Sequence, residues 1–490
     1  MPVSFEKEKH VLIRMDTDND WEFLFECCEG YLLRCDYERL LRYLQDDVKT
    51  VVLEKEYYDA DYRNTYNGFF SRKFANYPST TMRASFFSKR ISPRMLYKLD
   101  SFQEDFIGFS VIRPNRVASI GRTILDPKKL SKIGGYICMA EYPIHVLGAE
   151  LLASGFPYMS QDTDVTVCAH SACWMIFRYF SQRYSRYAEI WPYEVSQLTE
   201  DVSHGRLVPS KGLTVWQITE MFSKFGFYPE IYMRAAPNQA TIFDRLLYTY
   251  VESGLPVVAG LTGHQHAITI IGHISDFSVL RPGMTSDSCL TGFIANDDNH
   301  MPYHAISRKE DPKPTGHWSD FKISDIDCFI VPLYEKIHLS AEHIMALADV
   351  ILADNHLGID SCCKVLTKNQ LVTRTFLTSS KSYKKVRRNH ILPFGISKVY
   401  AELKMPKFIW VCEISTADLY GRGEVAGELI FDATANQFDR FSFLVIHYPD
   451  FLLLNDRDYL TDNPERFKIF SIDTDKVYSY PCYINNLCEV

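Results

Sequence analysis

The sequence predicts an α+β protein built from several domains. Its 490 residues exceed what one ordinary hydrophobic core holds, so roughly two to four domains are expected. Apolar residues recur at three- and four-residue spacing in some segments, which indicates helices, and they cluster or alternate in short runs elsewhere, which indicates strands. Strand-like runs become frequent after residue 400, so the chain is expected to end in a β-rich domain.

Composition and charge are those of a globular protein and argue against a role in coating nucleic acid. Hydrophobic residues make up 46% and aromatic residues 14% of the chain, unlike collagen-like or disordered sequences. The 61 acidic residues outnumber the 53 Lys and Arg residues, so the net charge is −8. A surface that covers nucleic acid needs the opposite sign.

The cysteines indicate a reducing compartment. Their number, 13, is odd, none forms a CxxC pair, and some are adjacent, as in Cys27-Cys28 and Cys362-Cys363. These spacings suit neither a disulfide framework nor a tetrahedral zinc site. The first residues lack an apolar signal core, and no apolar stretch reaches the length of a membrane span. We therefore expect a cytoplasmic protein without a membrane segment.

Residues 1–150 are expected to form an N-terminal α/β domain whose role the sequence does not identify. The segment 37–44 has helical spacing, and the segments 106–114 and 118–125 have the pattern of two strands paired as a hairpin. Three arginines near this hairpin are expected on the surface, with an anion-binding site as the alternative: Arg113, Arg116 and Arg122.

The segment 161–180 is typical of a loop that leads a cysteine into the start of a helix. Residue types that cap helices come first, namely Thr163, Asp164 and Thr166. Apolar residues then keep helical spacing: Ala169, Ala172, Cys173, Ile176 and Phe180. Cys168 thus falls at the first turn, where unpaired N–H groups and the helix dipole favour thiolate over thiol. A small buried core residue is the alternative.

A histidine opens the second of two neighbouring strands. Residues 255–261 and 263–273 have the apolar composition of two strands joined by a turn. His266 lies at the entry of the second strand, where burial requires a partner for the imidazole. His264 and His273 raise zinc as an alternative, although H-x-H spacing is common and no third ligand can be identified.

A later apolar strand ends in two aspartates. The run Gly292-Phe-Ile-Ala leads into Asn296, Asp297 and Asp298, and an acidic residue at a strand end can orient an imidazole through its second nitrogen. Strand alternation directs Asp297 towards the face of His266 and Asp298 away from it. An Asx turn with both aspartates in solvent is the alternative.

Residues 336–490 are expected to form a helix followed by the β-rich domain. The segment 340–354 has helical spacing with Ser340 as its cap, and the segments 408–414, 427–432 and 441–446 have strand composition. A basic run between them is expected to be a solvated loop: Lys384, Lys385, Arg387 and Arg388.

A thiol at a helix start, an imidazole on a strand and a carboxylate at a later strand end are what Cys-His-Asp chemistry needs in that order. With these residues the sequence resembles the papain-like cysteine peptidases, and more specifically their C39-like bacterial branch. The resemblance covers roughly 151–335. It rests on four motifs: Gln161, Cys168-Ala-His-Ser-Ala, His266-Ala-Ile-Thr-Ile-Ile-Gly and Phe293-Ile-Ala-Asn-Asp297.

The resemblance implies a papain-like central domain at 151–335, with the cysteine-bearing helix packed on an antiparallel sheet that carries the histidine and the aspartate. Cys168 would attack an amide or thioester carbonyl, His266 would hold and return the proton, and Asp297 would fix the imidazole tautomer. Gln161 and the backbone N–H of Cys168 would hold the oxyanion. The implied substrate is a protein or peptide, and neither a metal nor an organic cofactor is implied.

The sequence departs from the family pattern at three places. Gln161 stands seven residues before the cysteine rather than the usual six, Ala169-His170 replaces the usual Gly-Pro, and an insertion at 275–291 precedes the aspartate strand. Asp298 therefore competes with Asp297 for the third role. Cys173 is a rival nucleophile because a tryptophan follows it, as in classical papains, but it falls on the apolar stripe of the helix.

The expected activity is that of an intracellular thiol hydrolase that cleaves a peptide or other amide bond. Acyl transfer or deamidation by the same triad is one alternative, and a catalytically inactive papain-like binding module is another. The flanking regions are expected to select the substrate or to restrain the site, and they are where a regulatory partner would bind.

Overall fold

The chain folds as a mixed α+β protein in which helices pack on several sheets. The computed structural model describes residues 9–202, 212–308, 318–353, 368–390, 394–436, 438–439, 442–455, 467–472 and 478–490. Among the helices in these ranges, none combines the length and the apolar character that crossing a membrane requires.

The N-terminal region forms a five-stranded sheet in which every neighbouring pair is antiparallel. Its strands are β1 (His10–Arg14), β2 (Thr50–Tyr57), β3 (Thr81–Phe87), β4 (Phe106–Ile112) and β5 (Ile120–Leu125), and its helices are α1 (Asp18–Cys27), α2 (Arg34–Leu44) and α3 (Ala60–Gly68). The structure confirms the predicted hairpin as β4 and β5 and the predicted helix as α2. The region is therefore α+β rather than α/β, because an α/β sheet requires parallel strands joined by helical crossovers.

Two of the three arginines near the β4–β5 hairpin are not on the surface, so the expectation for them was wrong. Arg113 is buried and donates from Nη2 to the carbonyl oxygens of Ile120 at 3.0 Å and Ser160 at 2.8 Å. Arg122 is mostly buried and lies 2.9 Å from a carboxylate oxygen of Asp59. Only Arg116 is exposed.

The central sheet carries the predicted histidine and aspartate strands. Its region contains β6 (Tyr136–Ile137), β7 (Ala140–Val146), β8 (Ala149–Gly155), β9 (Tyr228–Met233), β10 (Val257–Leu261), β11 (His266–Ser275), β12 (Leu290–Asn296), β13 (His304–Ser307), β14 (Trp318–Lys322) and β15 (Cys328–Leu333). The strands of the sheet follow the order β14-β13-β12-β11-β10-β15-β9, while β7 and β8 form a separate hairpin. Every pair in this order is antiparallel except β13 with β14.

The helices of the central region are α4 (Cys168–Arg183), α5 (Pro192–Gln197), α6 (Val215–Phe225) and α7 (Phe243–Glu252). Helix α6 has a capped start and a glycine at its end. The Thr214 hydroxyl accepts the Gln217 N–H at 3.3 Å, and Gly226 ends the helix with φ of 101°.

Helix α4 does not use the predicted capping residues Thr163, Asp164 and Thr166. Val167 occupies the cap position, and its N–H donates to Nδ1 of His170 at 3.4 Å. Burial lowers the pKa of His170 to about 4, so the ring is neutral at pH 7 and can accept this hydrogen bond. The imidazole thus does part of what a capping hydroxyl does elsewhere.

The C-terminal region is a helix followed by a mostly β structure. It contains α8 (Ala341–Leu352), β16 (Val372–Ser379), α9 (Ser380–Arg388), α10 (Phe394–Glu402), β17 (Phe408–Ser415), α11 (Ala417–Tyr420), β18 (Glu424–Val425), β19 (Gly427–Asp432), β20 (Phe443–His447), β21 (Phe451–Asn455), β22 (Phe467–Ser471), β23 (Tyr480–Pro481) and β24 (Cys488–Glu489). An antiparallel sheet of six strands has the order β16-β17-β19-β20-β21-β22, and β18 pairs with β23.

The three regions share strands and a hydrophobic core. Residue 150 lies inside β8. Strand β6 pairs with β11 of the central sheet, and β24, near the C-terminal end, pairs with β6. One cluster of buried apolar residues extends from Ile13 to Leu487. The regions 1–150, 151–335 and 336–490 therefore pack as neighbours through one core.

The basic run near 384–388 is a helix rather than a solvated loop. In α9, Arg387 is buried, and its Nη2 lies 2.8 Å from a carboxylate oxygen of Glu413 and 2.8 Å from one of Glu428. Tyr383, one turn earlier, is also buried. The composition of the basic run could not show that Arg387 faces inwards, because its partners Glu413 and Glu428 belong to later strands of the chain.

The buried charges continue into the central sheet. Arg374 of β16 lies 3.0 Å from Glu413 and 3.3 Å from Glu252 of α7. Glu252 in turn lies 2.6 Å from Nε2 of His273 on β11. A series of buried arginines and glutamates that ends at the His273 imidazole thus joins the C-terminal sheet to the central sheet.

Replacing Arg387 by Met should lower the free energy of unfolding by about 3 to 5 kcal/mol, because two buried carboxylates lose their shared partner. Arg388→Met is the matched control, since Arg388 is exposed on the same helix and should change the free energy by at most about 0.5 kcal/mol. Thermal and urea melts measure both variants. Equal melting temperatures for the two would contradict a structural role for the buried cluster.

Candidate active site

Cys168 is the first residue of α4 and lies beside β11. The helix is fastened to this strand where the Thr269 hydroxyl donates to the carbonyl of Ala172 at 3.2 Å. The Cys168 side chain is partly buried, and it lies near enough to the His266 imidazole to help raise the pKa of that ring. Within the described residues no hydrogen bond uses the backbone N–H of Cys168, as is usual for a first-turn donor. The sulfur therefore has an imidazole on one side and a helix N-terminus behind it.

His266 also meets a carboxylate. Its Nε2 lies 2.9 Å from Oδ1 of Asp297, and only 10% of the histidine side chain and 5% of the aspartate side chain are exposed. Since Nε2 faces Asp297, Nδ1 is the nitrogen left for the thiol of Cys168. The structure thus brings three of the sequence-derived site residues into one chain of contacts.

The electrostatics favour a charged imidazole. Burial alone would lower the pKa of His266, but the hydrogen bonds with Asp297 and Cys168 and the charges of Asp297 and Asp298 outweigh it and raise the pKa to about 10. Burial opposes the charge of Asp297, yet the hydrogen bond and the charge of His266 keep its pKa below the usual value. An imidazolium beside a thiol is the arrangement that stabilises a thiolate near neutral pH.

Asp298 does not point away from His266 as strand alternation predicted. Its Oδ1 lies 3.8 Å from Nε2. Strand β12 ends at Asn296, and the His300 N–H donates to the Asp297 carbonyl at 3.0 Å, so both aspartates lie in a turn where alternation no longer applies. Burial, and then the charge of Asp297, raise the pKa of Asp298 to about 7.

Gln161 reaches this group through a residue that the sequence reasoning missed. Its Nε2 donates to Oδ1 of Asn299 at 3.2 Å. The backbone N–H of Asn299 donates to Oδ1 of Asp297 at 2.9 Å, and its side-chain nitrogen lies 3.5 Å from Nε2 of His266. The run Asn296-Asp-Asp-Asn299 was the available signal, because short polar side chains after a strand favour a turn that gathers them.

An aromatic ring covers the imidazole. The Phe321 ring of β14 lies 5.9 Å from the His266 ring at an interplanar angle of 36°, and 4.9 Å from the ring of His264. This residue was also missed, since nothing near it in the sequence connects it with the histidine. The ring shields the His266–Asp297 pair from water on that side.

The loop before Cys168 is organised by a buried carboxylate. Oδ1 of Asp162 accepts the N–H groups of Asp164 at 3.1 Å, Val165 at 2.7 Å and Thr166 at 2.9 Å. Burial raises the pKa of Asp162, and the positive charge of Arg113 acts against that rise. Through Arg113 the N-terminal region thus acts on the charge of Asp162, in the segment that carries both Gln161 and Cys168.

Backbone strain is concentrated at the site. Among the described residues, four non-glycine residues have positive φ: Leu147, Thr163, Gln265 and Tyr303. Thr163 lies in the loop before Cys168, with φ of 61°, and Gln265 directly precedes His266, with φ of 50°. A β-branched residue such as threonine adopts this conformation only at a cost of roughly 1 to 3 kcal/mol, and such residues cluster at functional sites.

The rival nucleophile Cys173 is fully buried. Burial, with a smaller contribution from Cys168, raises the pKa of its thiol well above the usual value. This sulfur is a core group on the inner side of α4 and cannot meet a substrate without a large movement of the helix.

The three histidines considered as a zinc site do not meet. His266 and His273 lie roughly 23 Å apart along the same strand, and His273 pairs with Glu252. The one group of metal-type ligands found among the described residues is His266, Asp297 and Asp298, whose ligand atoms lie within 4.8 Å of one another. In that group Nε2 already faces Asp297, so a metal would have to replace their hydrogen bond.

The chain matches no family model, no curated protein and no solved structure in the comparisons made with each. What the site can do is therefore argued from its own geometry. A thiol, an imidazole and a carboxylate in series can accept, hold and return a proton during nucleophilic attack.

Replacing Asp162 by Ala should disorder the loop before Cys168, because three backbone N–H groups lose their common acceptor. We expect a loss of about 1 to 3 kcal/mol in the free energy of unfolding and slower iodoacetamide labelling of Cys168. Asp164→Ala is the control, since Asp164 forms only a partly exposed ion pair with Lys73. Equal labelling rates for both variants and the wild type would show that Asp162 does not position the nucleophile.

Proposed function

We propose that this chain is a thiol hydrolase with a papain-like central region that cleaves a peptide or other amide bond in a protein or peptide substrate. The observation that carries the proposal is the series Cys168–His266–Asp297, in which the thiol at the start of α4 lies beside the imidazole and the imidazole Nε2 lies 2.9 Å from the carboxylate. Catalytic thiols need this series, whereas a core cysteine does not.

In the proposed reaction the Cys168 sulfur attacks the substrate carbonyl carbon while His266 holds the thiol proton. His266 then protonates the leaving amine, and an acyl-enzyme remains. A water molecule gives a proton to His266 and attacks the acyl carbon, which releases the acid and restores the thiol. Asp297 keeps the ring oriented and stabilises its charged form throughout.

The negative oxygen that develops on the substrate requires hydrogen-bond donors. The backbone N–H of Cys168 is available at the helix start, and the Gln161 amide lies in the same cluster through its contact with Asn299. We assign the oxyanion to these two donors. The positive end of the α4 dipole adds to their effect.

The arrangement of the central region supports the papain-like interpretation in one respect. A long helix that begins with the cysteine packs on antiparallel strands, β11 and β12, that carry the histidine and end beside the aspartate. The same triad would serve acyl transfer if an amine rather than water attacked the acyl-enzyme. It would serve deamidation if the thiolate attacked a side-chain carboxamide, so that ammonia left and water completed the reaction. A binding module without activity is the remaining alternative.

Iodoacetamide at pH 6, followed by peptide mapping, tests the nucleophile. Cys168 should react first among the 13 cysteines, because its sulfur lies at a helix N-terminus beside the His266 imidazole, the setting that activates a thiol as a nucleophile. Cys168→Ala should lose this fast labelling and any hydrolysis of amide or thioester substrates. Cys173→Ala is the control and should keep both. Uniform slow labelling of all cysteines would support the binding module instead.

The pH dependence of Cys168 labelling distinguishes the roles of Asp297 and Asp298. Asp297→Asn removes the charge that raises the pKa of His266, so the imidazolium and its thiolate partner become less populated, and labelling at pH 6 should fall by roughly tenfold or more. Asp298→Asn should have little effect at pH 6, because a carboxyl with a pKa of about 7 is mostly protonated there, and a larger effect at pH 8.

Two outcomes would contradict this assignment. Equal losses at pH 6 for the Asn variants would mean that Asp298 shares the third role. Hydrolysis by the wild type that stops when a chelator is added would mean that His266, Asp297 and Asp298 hold a metal rather than a proton relay.

A further inference from the structure

We propose that a cationic cavity at the carboxyl end of α4 binds a small organic phosphate that carries a planar ring. The cavity has a volume of ≈ 470 Å³ and lies between the end of α4, Tyr334 and the C-terminal elements β16 and α9. This volume is in the range of small-molecule sites. The proposal does not depend on the triad, because α4 has 16 residues and separates the two sites by about 24 Å.

The charges around the cavity indicate an anionic ligand. Four cationic side chains line it, namely Arg183, Arg186, Lys381 and Lys407, and no acidic side chain does. This contrasts with the chain as a whole, whose net charge is −8. Such a concentration of one sign in a concave site attracts and holds the opposite sign.

Three of these cations have no carboxylate partner within the described residues, and two of the three also donate no hydrogen bond from the side chain there. Arg186 pairs with Glu335, and Arg183 donates to the Met139 carbonyl and the Tyr179 hydroxyl. Lys381 and Lys407 form no ion pair there. These two ammonium groups are therefore the ones available to a phosphate.

Neutral hydrogen-bonding groups complete the polar side. Ser379, Ser380 and Ser382 line the cavity at the start of α9, together with Asn485 and Asn486. The Asn485 amide donates to the Ser382 hydroxyl at 2.5 Å. The hydroxyl of Ser379 caps the helix by accepting the Ser382 N–H at 3.2 Å. The first turn of α9 thus adds its positive dipole end to the four cationic side chains.

Aromatic side chains form the other wall and indicate a ring on the ligand. Tyr334 and Phe408 are stacked, with centroids 4.6 Å apart and an interplanar angle of 4°. Tyr184 meets Tyr334 edge-on at 5.8 Å and is 36% exposed. A planar ring can stack on this wall while its phosphate reaches the lysines.

Isothermal titration of the full chain at low salt tests the proposal with three probes: ADP, pyrophosphate and adenosine. ADP should bind most tightly, since it carries both the ring and the phosphates. Lys381→Glu should weaken ADP binding by roughly tenfold or more, because a charge-assisted hydrogen bond is replaced by repulsion.

Lys385→Glu is the matched control, because Lys385 lies one turn further along α9, is exposed and does not line the cavity. It should leave ADP binding unchanged, as should Cys168→Ala, which removes the proposed nucleophile. The proposal is overturned if ADP does not bind, if pyrophosphate binds as tightly as ADP, or if both glutamate variants weaken binding equally. Failure of ADP to bind would leave the proposed hydrolase function untouched.

Discussion

A buried imidazole paired with a buried carboxylate near each end of β11 is the interaction on which the rest of the structure depends. At the start of the strand His266 meets Asp297 at 2.9 Å, and further along it His273 meets Glu252 at 2.6 Å. The first pair orients the group that faces Cys168. The second pair continues through Arg374 into the C-terminal sheet. One strand thus joins the candidate site to the junction between regions.

Burying such pairs costs free energy, because each charge loses its hydration. The attraction between the partners offsets this loss only when their geometry is good and further hydrogen bonds satisfy the remaining polar atoms. In the series from Glu252 to Glu428 every charge has an opposite charge within 3.3 Å. What this series contributes is specificity, because only one arrangement of the two sheets satisfies all of its members.

The sequence predicted the regular elements well and the buried charges poorly. Apolar periodicity located α2, α8 and the strands from β10 to β12 within a few residues, because these signals are local. Arg113 and Arg387 were placed in solvent, since their partners lie far away in the chain. Phe321 was missed for the same reason, whereas Asn299 carried a local signal in the turn-forming run Asn296-Asp-Asp-Asn299. Asp298 was misplaced because the strand ends two residues before it.

Helix α4 joins the candidate active site at its positive end to the cationic cavity at its negative end. The positive end lies behind Cys168, and the negative end lies beside Arg183 at the cationic cavity. Residues Ala169 to Phe180 are all buried, so the helix moves only as a rigid piece. A ligand in the cavity therefore affects the Cys168 thiol only if α4 can take two positions and the ligand binds one of them more tightly than the other. A ligand held by α4 and α9 joins the same two regions that Glu252 and Arg374 already connect. Its direct effect is to stabilise that junction, and the reactivity of Cys168 depends instead on His266 and Asp297.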